Sequence, residues 1–170
     1  MQPTPDITLR PARREDVPAI LALIRDLAEY EQLAHEVEAD EAGLAATLFG
    51  DRPCAEVVIA EADGTAAGFA LFFHTYSTFL ARPGLYLEDL FVQPRFRGLG
   101  IGRRLMTHLA RLAVERGCGR FEWTVLDWNA AAIGFYRSLG AIGMDGWTTQ
   151  RVTGDALRRL AADSAGDGVR

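Results

Sequence analysis

Three glycines at alternate positions, Gly98, Gly100 and Gly102, separate an apolar run of strand character from an amphipathic run of helical spacing. Glycine costs roughly 1 kcal/mol relative to alanine inside a helix, so this stretch reads as a loop feeding a helix. A helix start leaves about four backbone N–H groups without partners and carries about half a positive charge. Glycines admit positive φ and let a bulky anion approach the backbone. Arg97, Arg103 and Arg104 add formal charge, and Leu99 and Ile101 can anchor the loop from beneath. The stretch therefore reads as a pyrophosphate cradle after a strand, the alternative being a glycine-rich turn with no ligand. The dinucleotide pattern G-x-G-x-x-G fails, because Arg103 stands where its last glycine belongs. All 18 basic residues are arginine, which excludes a G-x-x-x-x-G-K-[ST] phosphate loop.

Around that loop the pattern predicts a mixed α/β order. Ile7 to Arg10 reads as a strand closed by Pro11, and a helix capped by Asp16 runs to about Glu31. A second helix spans roughly Asp40 to Phe49. The run "EVVIAEADGTAAGFALFF" is a hairpin turning at Asp63-Gly64, and "GLYLEDLFV" is the next strand, stopped by Pro94. After the glycine loop come a helix to about Arg116, a strand in "GRFEWTVLD", and a helix capped by Asn129 and ended by Gly140. A last strand at Gly146 to Val152, a helix at Asp155 to Ala162 and a loose tail over 163–170 complete the expectation.

Composition narrows the function classes. The 170 residues are 49% hydrophobic and 24% charged, as in one globular domain. A net charge of −5 argues against nucleic acid as the main partner and suits a cationic substrate. No apolar run is long enough to span a membrane, and the first residues carry no apolar signal core, so a cytoplasmic protein is expected. Cys54 and Cys118 read as free thiols, and His35, His74 and His108 do not cluster, so no metal site is expected. The three tryptophans, Trp123, Trp128 and Trp147, read as core or interface.

Strand alternation puts Tyr86, Glu88, Leu90 and Val92 on one face and Leu87, Asp89 and Phe91 on the other. The two acids are thus expected to point apart, Glu88 into a site and Asp89 to a capping or ion-pair role. The acid-rich segment "AEYEQLAHEVEADE" can steer a polycation or simply be a solvated loop.

Arg97-Gly98-Leu99-Gly100-Ile101-Gly102 fits the motif R/Q-x-x-G-x-G/A. Together with "LEDLFVQP" and with Asn129, Ala132, Tyr136, Gly140 and Ala141 in N-x-x-A-x-x-x-Y-x-x-x-G-A, it makes the chain resemble the GCN5-related N-acetyltransferase (GNAT) family, from about Thr8 to Arg151. The resemblance implies an α/β GNAT fold: a mixed, mostly antiparallel central sheet flanked by helices, with a β-α-β-α-β C-terminal half, in one domain with its core at about 6–162. It implies acetyl-CoA as cosubstrate and no metal. It also implies pyrophosphate contacts at Arg97, Gly98, Leu99, Gly100, Ile101, Gly102 and Arg103, pantetheine pairing with the backbone of Leu90, Phe91 and Val92, and further contacts at Asn129 and Ala132. That pairing needs the strand after Phe121 to diverge from this one.

"IRDLAEYE", "LYLEDLFV", "VLDWN" and "DGW" further resemble the diamine (spermidine/spermine) acetyltransferase group, some of whose members act on thialysine. By that resemblance Tyr136 is the general acid, Glu88 contacts the amine, and Tyr30, Glu31 and Asp145 help hold the substrate. A homodimer is expected on the same ground. An amino-acid or protein amine as acceptor, or a non-enzymatic acyl-CoA-binding sensor, are the competing readings.

The chemistry is consistent with these roles. An alkylamine of pKa about 10.4 costs roughly 4.6 kcal/mol to deprotonate at pH 7, and Glu88 can position the ammonium and relay its proton. A tyrosine phenol of pKa about 10 can protonate a departing thiolate, whose conjugate acid lies near 8.5.

Overall fold

The computed structural model describes residues 4–163. Two compact units organise the chain, Met1–Thr124 and Val125–Arg170. The first holds β1 (Ile7–Pro11), α1 (Val17–Tyr30), α2 (Glu41–Phe49), β2 (Glu56–Ala62), β3 (Thr65–Ser77), β4 (Arg82–Val92), α3 (Ile101–Glu115) and β5 (Phe121–Trp123). The strands form one sheet in the order β1-β2-β3-β4-β5. β1 to β4 pair antiparallel, and β5 joins β4 in parallel.

Local chemistry accounts for most of this. Asp63 and Gly64 adopt φ 48° and 77°, the two positive values that a tight turn between twisted antiparallel strands requires. The Asp63 carboxylate also accepts the Asp6 N–H at 2.9 Å, tying the turn to the start of β1. Asp40 caps α2 by accepting the Gly43 N–H at 2.7 Å.

α1 starts where expected but not by the expected device. The Asp16 side chain makes no cap bond to α1. It is held instead by Arg10, at 2.7 and 2.8 Å, and accepts the Arg13 N–H at 2.7 Å. The carboxylate is thus taken up by the bidentate arginine and by the amide of Arg13, ahead of α1. Arg10 also binds Glu61 at 2.8 Å, so one guanidinium joins β1, β2 and the entry to α1, and holds the Asp16 carboxyl below its usual range.

Both sheet faces are covered, which is why β2 is buried almost without alternation. On one face Val57, Ile59, Phe69 and Phe91 pack against Ile20, Leu23 and Leu27 of α1 and Leu48 of α2. The intervening residues Val58, Ala60, Ala70 and Phe72 are buried as well. α3 packs on β2, β3 and β4 and buries Ile101, Leu105, Met106, Leu109 and Ala113, a stripe of helical period. Each large side chain so buried contributes roughly 1.5–3 kcal/mol.

The second unit contains α4 (Ala130–Ser138) and α5 (Gly154–Asp163). Asn129 caps α4 by accepting the Ala132 N–H at 3.1 Å. Gly140, at φ 93°, ends the helix. The strand expected at 146–152 is absent: the segment carries no ladder, and a turn closes it where the Trp147 N–H reaches the Met144 carbonyl at 3.1 Å. Its apolar residues sit among Gly143, Asp145 and Gly146, and turn chemistry prevails where no neighbouring strand is bonded. The C-terminal half therefore has one strand fewer than β-α-β-α-β, and β5 covers three residues of the longer run expected. The tail expected over 163–170 lies outside the described residues beyond Asp163, where α5 ends.

Candidate active site

β4 does not keep the alternation its sequence suggests. Asp89 faces Leu71 and Leu87 faces Phe72, so Glu88 is an extra residue with no partner on β3. This is a β-bulge, a device that bends a strand and re-aims a side chain. It overturns the expectation that the two acids point apart by simple alternation. Phe91 packs against α1, whereas the buried Leu85 and Leu87 lie outside that cluster. Glu88 is exposed and Asp89 is drawn inward.

Asp89 therefore has an environment the sequence did not suggest. Burial, with the charges of Glu88 and Glu31 close by, pushes its carboxyl up to about 6. Among the described residues no arginine pairs with it, so the expected ion-pair role is corrected. Burial also raises Glu31. Three carboxylates thus stand together with no internal counter-ion, an arrangement that disfavours their charged forms and favours an incoming cation.

Glu31 and Tyr30 reach this place because α1 ends abruptly there. Gln32 takes φ 62°. The Leu33 N–H bonds the Ala28 carbonyl at 2.8 Å and the Gln32 N–H bonds that of Glu29 at 3.1 Å. The pattern is a left-handed helix stop of the kind glycine usually supplies; a side chain there costs roughly 1–2 kcal/mol.

Arg97 connects this end of α1 to the glycine loop. Its guanidinium lies 4.6 Å from the Tyr30 ring centroid and 5.7 Å from that of Phe91. Its Nε donates to the Val92 carbonyl at 3.0 Å. The residue expected at the phosphate thus also braces an expected substrate residue.

In the loop, Gly98 and Gly100 adopt φ 80° and 77°, and a Cβ on either would meet no atom within 4 Å. Gly102 lies within the first turn of α3. Gly100 caps α3 without a side-chain bond, and the helical ladder opens with the Arg104 N–H donating to Gly100 at 3.0 Å. The amides of residues 101–103 precede that ladder, the groups a helix start leaves for an anion such as a diphosphate. Ile101 is buried as the anchor, and Leu99 is half-buried.

The edge of β4 away from β3 is also open. β5 pairs with Leu85, Tyr86 and Leu87 and stops at Trp123. The Phe91 carbonyl faces β3, 2.5 Å from where a Cβ on Gly68 would stand. By strand geometry the N–H and C=O groups of Leu90 and Val92 then face the open edge. Arg97 takes the Val92 carbonyl, leaving both groups of Leu90 and the Val92 N–H for an extended amide chain. β5 stops at Trp123, so no strand is bonded to this edge of β4 beyond Leu87.

Tyr136, Asn129, Ala132 and Asp145 belong to the second unit. Tyr136 is half-buried on α4, its ring 5.3 Å from Phe135. Asp145 is exposed in the turn before Trp147. Trp147 and Trp128 are 79% and 54% exposed, which rules out the core for both. Among the described residues no three His, Cys, Asp or Glu side chains group as metal ligands, and no helix is long and apolar enough to cross a membrane.

An open strand edge leading to an uncapped, glycine-lined helix start, beside a carboxylate cluster, defines a class of protein: one that holds a phosphate-bearing carrier next to a cationic acceptor. Comparison with known proteins agrees. Residues 20–141 match the Acetyltransferase (GNAT) family. The thialysine N-epsilon-acetyltransferase of Mus musculus is 39% identical over 164 residues, 90% of this chain and 96% of the relative. The L-ornithine N5-acetyltransferase of Arabidopsis thaliana is 36% identical, over 89% of this chain and 86% of its own. Among solved structures, an integron cassette protein from the mobile metagenome of V. cholerae superposes with a TM-score of 0.78 at 28% identity, covering 91% of this chain and 97% of that one. The chain belongs to the GNAT family of acetyltransferases.

Asp89 offers a pH test. Its folded pKa of about 6 lies above the ordinary 3.8, so the folded state binds the extra proton and stability falls as pH rises from about 4 to about 6. Asp89→Asn should remove that loss and exceed the wild type at pH 7 by up to roughly 3 kcal/mol in urea unfolding. An Asn variant with the same pH slope as the wild type contradicts the assignment.

Proposed function

We propose that the protein transfers the acetyl group of acetyl-CoA to a primary amine of a small polyamine- or thialysine-like substrate by direct transfer. The observation that carries the acceptor class is the group of Glu31, Glu88 and Asp89, whose half-buried members, Glu31 and Asp89, pair with no arginine among the described residues. A bound ammonium relieves that repulsion. Relatives named for thialysine and ornithine support the same class.

Acetyl-CoA supplies the acyl group as an activated thioester. The amides of Leu99 to Arg103, with Arg97 and Arg103, hold the diphosphate, and the free groups of Leu90 and Val92 pair with the pantetheine arm beside Phe91. Asn129 and Ala132 at the start of α4 add cofactor contacts. Tyr30, Glu31 and Asp145 hold the acceptor. Glu88, freed from the ladder by its bulge, positions the attacking nitrogen and passes its proton towards solvent. Asp89 fixes the ammonium charge nearby. Tyr136 donates its phenolic proton to the departing thiolate.

The second unit exposes Ile142, Met144 and Trp147 close together in sequence, which supports a homodimer with these residues covered. The free thiols of Cys54 and Cys118 support a reducing, cytoplasmic setting.

Thiol release measured across spermidine, thialysine, lysine and peptide amines tests the acceptor. Small diamines and thialysine should be turned over best. Preference for peptide amines, or cofactor binding without release for any amine, contradicts the reading. Tyr136→Phe should lose about 100-fold or more in kcat while acetyl-CoA affinity is kept within a few fold. Sedimentation should give twice the mass of one chain; a single-chain species removes the dimer.

A further inference from the structure

We propose that Asp26 and Gln93 are positioning residues for the amine acceptor: with Arg97 they clasp the loop after β4 to the last turns of α1 and so hold Tyr30 in place for the amine. This rests on the reading of Tyr30 as an acceptor residue.

The loop after β4 meets α1 at two points. The Gln93 Nε2 donates to the Asp26 carboxylate at 3.0 Å, joining residues 67 apart in sequence. Further along the loop, the Arg97 guanidinium lies 4.6 Å from the centroid of the Tyr30 ring. Asp26 and Tyr30 are separated by one helical turn on α1, so both contacts fall on the same face of the helix.

The loop side of this clasp is itself anchored. The Gln93 N–H donates to the Ala67 carbonyl at 2.9 Å, carrying the pairing of β3 with β4 one residue past Val92. The Gln93 Oε1 accepts from the Arg95 Nη2 at 3.1 Å, so both halves of the side-chain amide are engaged. Gln93 and Asp26 are half-buried, and a bond to a carboxylate there is stronger than one between neutral groups. Arg97 is tied back to the Val92 carbonyl, and the Tyr30 ring also stands 6.5 Å from that of Phe91 on β4.

Tyr30 needs such support because the core lies behind it. α1 buries its last residues at Leu27 and Ala28, Tyr30 is exposed, and the chain reverses at Gln32. Helix ends of this kind fray, and a displacement of about 1 Å in a positioning group can cost about 100-fold in rate. The clasp fixes the end of α1 to the strand that carries Glu88 and Asp89. Asp26 could instead act by charge alone, as a further acid in the field that meets the amine. Its variants separate the two roles. Asp26→Asn keeps a carbonyl that accepts from Gln93 and loses the charge, whereas Asp26→Ala loses both.

Steady-state kinetics of the full-length protein with spermidine and with thialysine at saturating acetyl-CoA tests this, with acetyl-CoA affinity read by calorimetry. Asp26→Ala should raise the amine KM about tenfold while kcat and acetyl-CoA affinity stay within about threefold. Asp26→Asn should stay within about threefold of the wild type in all three quantities. In a Tyr30→Leu background, Asp26→Ala should add less than about threefold to the amine KM, because its route to the amine is already gone. An unchanged amine KM in Asp26→Ala overturns the clasp and leaves the acceptor reading intact. Equal losses in the Asn and Ala variants assign the effect to charge and overturn it as well, as does a full multiplication of effects with Tyr30→Leu. Gln93→Ala removes the same bond from the loop side, with the same expected rise in amine KM, and decides where Asp26→Ala fails to fold. Turnover of neither amine by the wild type overturns the acceptor reading and this inference with it.

Discussion

β4 is bonded to β3 over most of its 11 residues and to β5 over only three. The site grows from that inequality. One edge of the strand keeps the sheet together while the other, past Leu87, leaves peptide groups without a strand partner. A bulge in the same stretch frees Glu88 from the ladder. Unpaired backbone is costly inside a protein, so a polar chain laid against this edge is favoured before any side chain is considered. The strand then runs through Pro94 into a loop that ends at an uncapped helix start. Groups suited to an amide chain and groups suited to a diphosphate follow one another in a single covalent run.

Charge is arranged to complement this backbone. The acids gather at Glu31, Glu88 and Asp89, and Arg97, Arg103 and Arg104 flank the start of α3. Between them Arg97 is stacked on Tyr30 and bonded to Val92. A cation at one end and an anion at the other each meet an unneutralised field of opposite sign. The cost is visible in Asp89, which is held in an environment that opposes its ionisation. The family membership fits such an arrangement, since acetyl transfer brings a phosphate-bearing thioester carrier together with an amine that is an ammonium ion in water before it gives up its proton.

Much of the fold was legible because it rests on local chemistry. Asp63-Gly64 can form a tight turn wherever it occurs, Asp40 and Asn129 cap the helices they precede, and alternating glycines break a helix in any context. What escaped depends on partners distant in sequence. The bulge at Glu88 is a property of the register between β3 and β4, and a shift of one residue reverses the faces on which an alternation argument relies. Asp16 has the chemistry of a cap, but Arg10, brought near by the pairing of β1 with β2, takes its carboxylate. Trp147 and Val152 lent strand character to a segment that joins no ladder. The burial of Asp89 was hidden for the same reason, although an adjacent Glu-Asp pair in an otherwise apolar strand was itself the signal.

The claim that supports the others is that backbone amides at the start of α3 are the anion donors. Hydrogen exchange of the amides of Leu99 to Arg103, followed with and without saturating acetyl-CoA, examines those groups directly. Exchange at these positions should slow by about tenfold or more on binding, while amides in the interior of α3 change little. Unchanged exchange at residues 99–103 in a protein shown to be saturated would contradict the account.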